Sequence, residues 1–277
     1  MTVINTNVNS LYAQAALTKN ARTQATAMQQ LSTGSRINAA KDDAAGMAIG
    51  TAMTSQVKGL DQAARNAQDG INMMQTAEGA MVEQTNMLQR MRELAVQASN
   101  GTYDSGQRGY LQNEFSALAS QIDSIATQTT WNGQHLLDAT ENSGNFEFMV
   151  GQKSGETITV GITKAMKMDT IASGLSVSAG MLTASAAMTT LAQLNDALTA
   201  VNDQRAAIGA GINRLTYASD NLTNISANIQ ASRSTIMDTD YAVASSALSK
   251  TQIIQQAATA MLAQANQQPQ TVLALLK

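Results

Sequence analysis

The residues that could do chemistry are few. One histidine, His135, stands in Gly133-Gln134-His135-Leu136-Leu137. A zinc centre of the H-E-x-x-H type needs a second histidine one helical turn away, so His135 alone builds none and reads as a loop or packing residue. The chain has no cysteine, which excludes disulfides, thiolate metal sites and cysteine nucleophiles. Lys41-Asp42-Asp43 juxtaposes two acids. They stand directly before an apolar-periodic segment, where an aspartate accepts from free N–H groups and meets the positive end of the helix dipole. Gly50, Gly101, Gly106 and Gly109 lack the spacing of a phosphate loop. Arg90 and Glu93 read as decoration on a rod surface. No nucleophile, base or metal constellation emerges, so the reading is a non-enzyme without cofactors.

Composition points to long helices. Of 277 residues, 44% are hydrophobic but only 3% aromatic. Alanine and methionine carry the apolar content, and both suit helix seams better than sheets. A single proline, Pro269, leaves room for uninterrupted helices. The net charge of −3 gives little self-repulsion. The basic residues are scattered singly, with no phosphate footprint, so nucleic acid is excluded as a partner. No run of 18 apolar residues occurs, so no membrane insertion is expected. The opening residues 1–7 have neither a basic nor an apolar region, which predicts no cleavable signal.

The elements follow from spacing. Ile4, Val8, Leu11, Ala15, Thr18, Arg22, Ala25, Met28 and Leu31 predict a helix over 4–32, ended at Gly34. Met53, Val57, Leu60, Ala64, Ala67, Ile71 and Met74 start a rod over 42–98, which Met81, Leu88 and Ala95 continue every seven residues. A third helix is expected at about 106–129. Phe146, Phe148 and Val150, then Ile158, Val160 and Ile162, alternate on either side of a glycine-containing turn and predict a β-hairpin at 145–163. Trp131-Asn132-Gly133 reads as a loop and 164–184 as a linker without period. Leu191 to Ile236 holds a strict 3-4 repeat, with Arg205, Ser219, Ser226 and Arg233 as polar exceptions that set register or sit at seam edges. Gly209 and Gly211 suggest close approach of another helix. The last helix, about 239–267, carries two neighbouring stripes and ends before Pro269. One stripe runs through Val243, Ala247, Lys250, Ile254, Ala257 and Met261, the other through Ala244, Leu248, Thr251, Gln255, Ala258 and Leu262. The expected fold is mainly α: an elongated, antiparallel, coiled-coil-like bundle with a small β-hairpin, its terminal helices pairing as a coiled coil.

Four blocks then resemble bacterial flagellins. Leu31-Ser32-Thr33-Gly34-Ser35-Arg36-Ile37-Asn38-Ala39-Ala40-Lys41-Asp42-Asp43-Ala44-Ala45-Gly46-Met47-Ala48-Ile49 is similar to the family's N-terminal signature. Leu88-Gln89-Arg90-Met91-Arg92-Glu93-Leu94-Ala95-Val96-Gln97 resembles its second block. Ser232-Arg233-Ser234-Thr235-Ile236-Met237-Asp238-Thr239-Asp240-Tyr241-Ala242 and Gln255 to Gln267 resemble its C-terminal blocks. The large variable outer domains have no counterpart, and only 164–184 stands where they would be inserted.

The resemblance implies a structural subunit that polymerises with itself into the flagellar filament for swimming. Residues 1–41 and 240–277 would form the inner tube and 42–239 the surrounding rod domain. Ile4, Val8, Leu11, Leu31, Leu248, Ile254, Met261 and Leu262 are then the polymerisation candidates. It further implies type III export to the cell exterior and dealings with an export chaperone, a cap protein and hook-associated proteins. Recognition by Toll-like receptor 5 is implied through the matching positions Gln89, Arg90, Glu93, Leu94 and Glu114.

Overall fold

A computed structural model describes residues 6–140, 144–173, 175 and 177–275, apart from the side chains of 268–275. The chain is mainly helical, as expected. Six helices occur among the described residues: α1 (Val8–Thr33), α2 (Ala44–Ser99), α3 (Ser105–Gln128), α4 (Met168–Ile171), α5 (Ala184–Met237) and α6 (Tyr241–Leu275). Strands β1 (Thr130–Trp131) and β2 (Gln134–His135) pair antiparallel, as do β3 (Asn145–Met149) and β4 (Thr157–Gly161). Two compact units result: residues 1–57 with 227–277, and residues 58–226.

The helix ends have identifiable caps. Asn7 accepts from the Ser10 N–H at the start of α1, and Gly34 closes that helix at φ 71°. Asp43 accepts from Gly46 N–H at 2.9 Å and opens α2, while Asp42 accepts from Asn38 and Ala39 and folds the preceding turn. The acid pair is therefore spent on backbone groups. Asp104 and Gln107 form a reciprocal capping box at α3.

Unit 58–226 is built on α2 and α5 running antiparallel. Ala67, Met74, Met81, Leu88 and Ala95 are buried on α2. Leu194, Val201, Ile208, Leu215 and Leu222, each seven residues after the last, are buried on α5. The spacing of 3.5 thus marks the true core of both rods. Two of the polar exceptions meet partners here: Ser226 donates to Asp61 at 2.8 Å, and Arg205 lies 3.8 Å from Glu78. Helix α3 adds Phe115, Ala119, Ile122 and Ala126 to the same core.

The β3–β4 hairpin lies on both rods through two glycines. A Cβ on Gly70 of α2 would meet the Phe148 ring at 2.8 Å. A Cβ on Gly211 of α5 would meet Val160 Cγ2 at 2.7 Å. Gly211 therefore admits a strand, where the sequence suggests a helix, and nothing lies within 4 Å of a Cβ on Gly209.

Further features depart from expectation. Helix α6 runs on through Pro269 to Leu275 instead of ending before the proline, which removes one helical hydrogen bond without stopping the helix. Thr130 to His135 is a tight hairpin rather than a loop, with Asn132 at φ 49° and Gly133 at φ 81°. Asn-Gly is the favoured pair for a turn with both central residues at positive φ. The described residues of 164–184, read as a linker without period, pack as a layer: Met166, Met168, Ile171, Ala172 and Met181 are buried. Buried glutamines pin this layer and the end of the hairpin. Gln84 donates to Met166 O at 3.0 Å and Gln204 to Gly161 O at 2.7 Å. Gln112 donates to Val177 O and accepts from Met181 N–H at 2.8 Å. Gln112→Leu strands both of these backbone groups and is expected to cost about 2–4 kcal/mol, read as a lower urea midpoint. An unchanged midpoint would mean the layer is held without Gln112.

Candidate functional site

Among the described residues no group of three or more His, Asp or Glu could hold a metal. His135 sits at the end of β2 with its Nδ1 2.7 Å from Thr127 O and 4.0 Å from Asp138. Burial pushes the Asp138 carboxyl up, but hydrogen bonds from Thr140 and the nearby His135 and Lys167 outweigh it and hold the group below its ordinary value. Every partner of His135 is local, which is the pattern of a turn brace.

The unusual surface lies on the terminal helices, in unit 1–57 with 227–277. Here α1 and α6 pack along one another. The face of α1 turned to α6 carries Asn20 and Ala27, both buried, with Ala13, Leu17 and Leu31 partly covered. On α6 the second of the two expected stripes faces inward except at Gln255, which is exposed: Ala244 and Thr251 are buried, and Leu248, Ala258 and Leu262 are partly covered, with Ala247 of the first stripe beside them.

The stripe expected to bury α1 faces the other way. Val8 is 45% exposed, and Leu11 and Met28 are each 56% exposed. Val243, Ile254 and Met261 on α6 are likewise exposed. The inward face of α1 is polar and small because cross-helix hydrogen bonds satisfy it. Leu17 and Leu31 share that face, while Val8, Leu11, Tyr12 and Met28 are left outside. Tyr12 and Met261, with Ala16 and Ala258, line an open hollow between the helices.

The eight polymerisation candidates therefore divide. Val8, Leu11, Ile254 and Met261 are exposed, while Leu31, Leu248 and Leu262 lie partly covered. Ile4 lies outside the described residues. Exposed apolar side chains repeated along two neighbouring helices expect further cover, since scattered single ones are ordinary but contiguous ones mark contact surfaces.

Close to this pair, the two connecting segments are tied together. Ser35 and Asp238 form an antiparallel bridge. Arg36 N–H donates to Met237 O, and its guanidinium donates to Ile236 O at 2.6 Å, capping the last turn of α5. Arg233, another of the polar exceptions, donates to Thr54 at 3.3 Å.

A second surface lies on α2 and α3. Arg90 donates to Glu93 at 3.0 Å and to Glu114 at 2.9 Å, all three exposed. Those two carboxylates raise the Arg90 pKa further above its ordinary value. Gln89 is exposed beside them. Leu94 is 1% exposed, so any part it plays in recognition is through the position of α2. Glu114 is distant in sequence and joins this group only through the packing of α3.

Residues 4–142 match the family described as the bacterial flagellin N-terminal helical region, and residues 191–276 its C-terminal helical region. A flagellin of Halalkalibacterium halodurans is 44% identical over 275 residues, spanning 99% of this chain and 100% of the relative. A flagellin of Bacillus subtilis is 40% identical over 303 residues, spanning 99% of each. Flagellin A of Vibrio cholerae is 34% identical over 377 residues, again spanning 99% of each. The crystal structure of Bacillus cereus flagellin aligns with a TM-score of 0.50 and 31% identity, over 60% of this chain and 94% of that one.

Proposed function

The chain belongs to the bacterial flagellin family, a family of structural filament proteins and not of enzymes, and from that premise we propose that it polymerises through its terminal helices into a filament that drives swimming. The observation that carries this is the outward apolar stripe on α1 and α6. Among the described residues Val8, Leu11, Met28, Val243, Ile254 and Met261 stand 40–66% exposed, and burial against neighbouring copies would remove them from water. Residues 1–41 and 240–277 form the inner tube in this reading, and 42–239 the rod around it. Leu31, Leu248 and Leu262 contribute by holding the pair together.

The same reading places the protein outside the cell, delivered by type III export. An export chaperone, a cap protein and hook-associated proteins are its partners on the way. No helix among the described residues is long and apolar enough to cross a membrane.

The test is electron microscopy of purified protein with and without short filament seeds in ammonium sulfate, which strengthens apolar burial. Long smooth filaments are the expected result. Monomers or short caps alone, with seeds proven active, would overturn the reading in favour of a junction protein.

A second reading concerns Toll-like receptor 5. The Arg90–Glu93–Glu114 network favours it, because it gathers residues from two helices into one exposed, ordered, charged group beside Gln89. Arg90→Ala is expected to weaken receptor binding by roughly tenfold, the weight of one lost charge-assisted contact. Surface plasmon resonance checks it, and unchanged affinity would remove the receptor from this face.

A further inference from the structure

Helix α6 runs to Leu275 and so passes through position 269. In a helix the N–H of residue 269 would return to the carbonyl of residue 265. Proline has no N–H, so Pro269 leaves the Ala265 carbonyl without its helical donor. The Asn7 side-chain amide reaches that same oxygen, Nδ2 to Ala265 O, at 2.8 Å. Asn7 also accepts from Ser10 N–H through Oδ1 at 3.2 Å, so one side chain caps α1 and fills the gap in α6.

A second asparagine repeats the bond further along. Asn20 is buried and donates from Nδ2 to Thr251 O at 2.7 Å. The two acceptors, Ala265 and Thr251, stand two heptads apart on α6. Between these bonds small residues alternate with leucines: Ala13 and Ala258 line one hollow, and Leu17 and Leu262 are partly covered. A slip by one heptad returns each inward position to another inward position, so this packing alone discriminates weakly between registers. A buried asparagine penalises every register in which it finds no partner.

We propose that Asn7 and Asn20 are positioning residues that set the register of α1 on α6, and that Pro269 creates the acceptor Asn7 uses. The feature lies within one chain and does not depend on whether the chain polymerises.

The absence of native cysteines allows a direct test. Ala13→Cys with Ala258→Cys reports the observed register, and Ala13→Cys with Thr251→Cys reports a slip of one heptad. Disulfide closure is followed on non-reducing gels for the full-length chain, both free and pelleted. The in-register pair is expected to close about tenfold faster than the slipped pair, and Asn7→Asp with Asn20→Leu to bring the ratio towards one.

Asn7→Asp alone separates the proposed role from simple capping. Aspartate is as good an N-cap and favours the helix dipole, so a cap-only role leaves the ratio unchanged or improved. The proposal requires the ratio to fall, because the donor is gone. In a Pro269→Ala background the Ala265 carbonyl regains its N–H, and Asn7→Asp should then have little effect. A ratio that ignores both asparagines, or an Asn7→Asp effect equal in the two backgrounds, would overturn the proposal.

Discussion

Met261→Lys is expected to raise the critical concentration for filament growth by roughly a thousandfold or to abolish growth, while leaving the free chain as stable as before. The asymmetry follows from where the side chain is. In the single chain Met261 is 66% exposed, and a lysine there stays hydrated. Substitutions at such positions change stability by about 0.5 kcal/mol or less. In the proposed filament the same position is covered by a neighbouring copy. The apolar gain of the methionine, about 1.5–3 kcal/mol, is then lost. An unpaired ammonium must also be dehydrated, at a further cost of several kcal/mol. Sedimentation of seeded mixtures gives the critical concentration, and circular dichroism melting of the free chain gives the control. Filaments at the ordinary critical concentration would show that this stripe stays in water, and the assembly surface would have to be sought elsewhere.

Gly211→Val should be the more damaging change to the fold, and its neighbour provides the contrast. The added Cβ would sit 2.7–2.8 Å from the two γ-methyls of Val160. Val160 is buried in strand β4 and β-branched, so it has little freedom to turn aside. Gln204 further ties the adjacent Gly161 carbonyl to α5. Hairpin and helix must therefore part, at a cost of about 3 kcal/mol, which lowers the melting temperature by roughly 6–12 °C. At Gly209 a Cβ meets nothing within 4 Å, and Gly209→Ala should raise stability by about 0.5–1 kcal/mol through helix propensity. Thermal melting of both variants checks the pair. Equal effects would show that the hairpin does not rest on Gly211.

The residues explain why some features were legible from sequence. Leu194, Val201, Ile208, Leu215 and Leu222 recur every seven positions and are large, so a single face of a 3.5-residue repeat can bury them. A cap from the pair Asp42-Asp43 is legible because the first turn of any helix leaves N–H groups open, while the structure alone assigns it to Asp43. The β3–β4 pair is legible through alternation on either side of its turn. The β1–β2 turn also had a signal, Asn132-Gly133, but its strands of two residues each are too short to show a period.

By itself the sequence determined the helical class, the span and seam of the long rods and the larger hairpin. These depend on local bonding and on periodic large apolar residues, which keep their meaning wherever the partner comes from. The tertiary structure alone decided which face of α1 turns inward, how 164–184 packs, why Gly211 is small and which residues surround Arg90. The groups that hold these places together are mostly small or polar: Asn20 and Ala27 on α1, Gln84 and Gln112 under 164–184, and Gly211 under the hairpin. Such residues carry no hydrophobic signal, and their burial becomes favourable only when a particular carbonyl, N–H or methyl group from a distant part of the chain arrives to meet them.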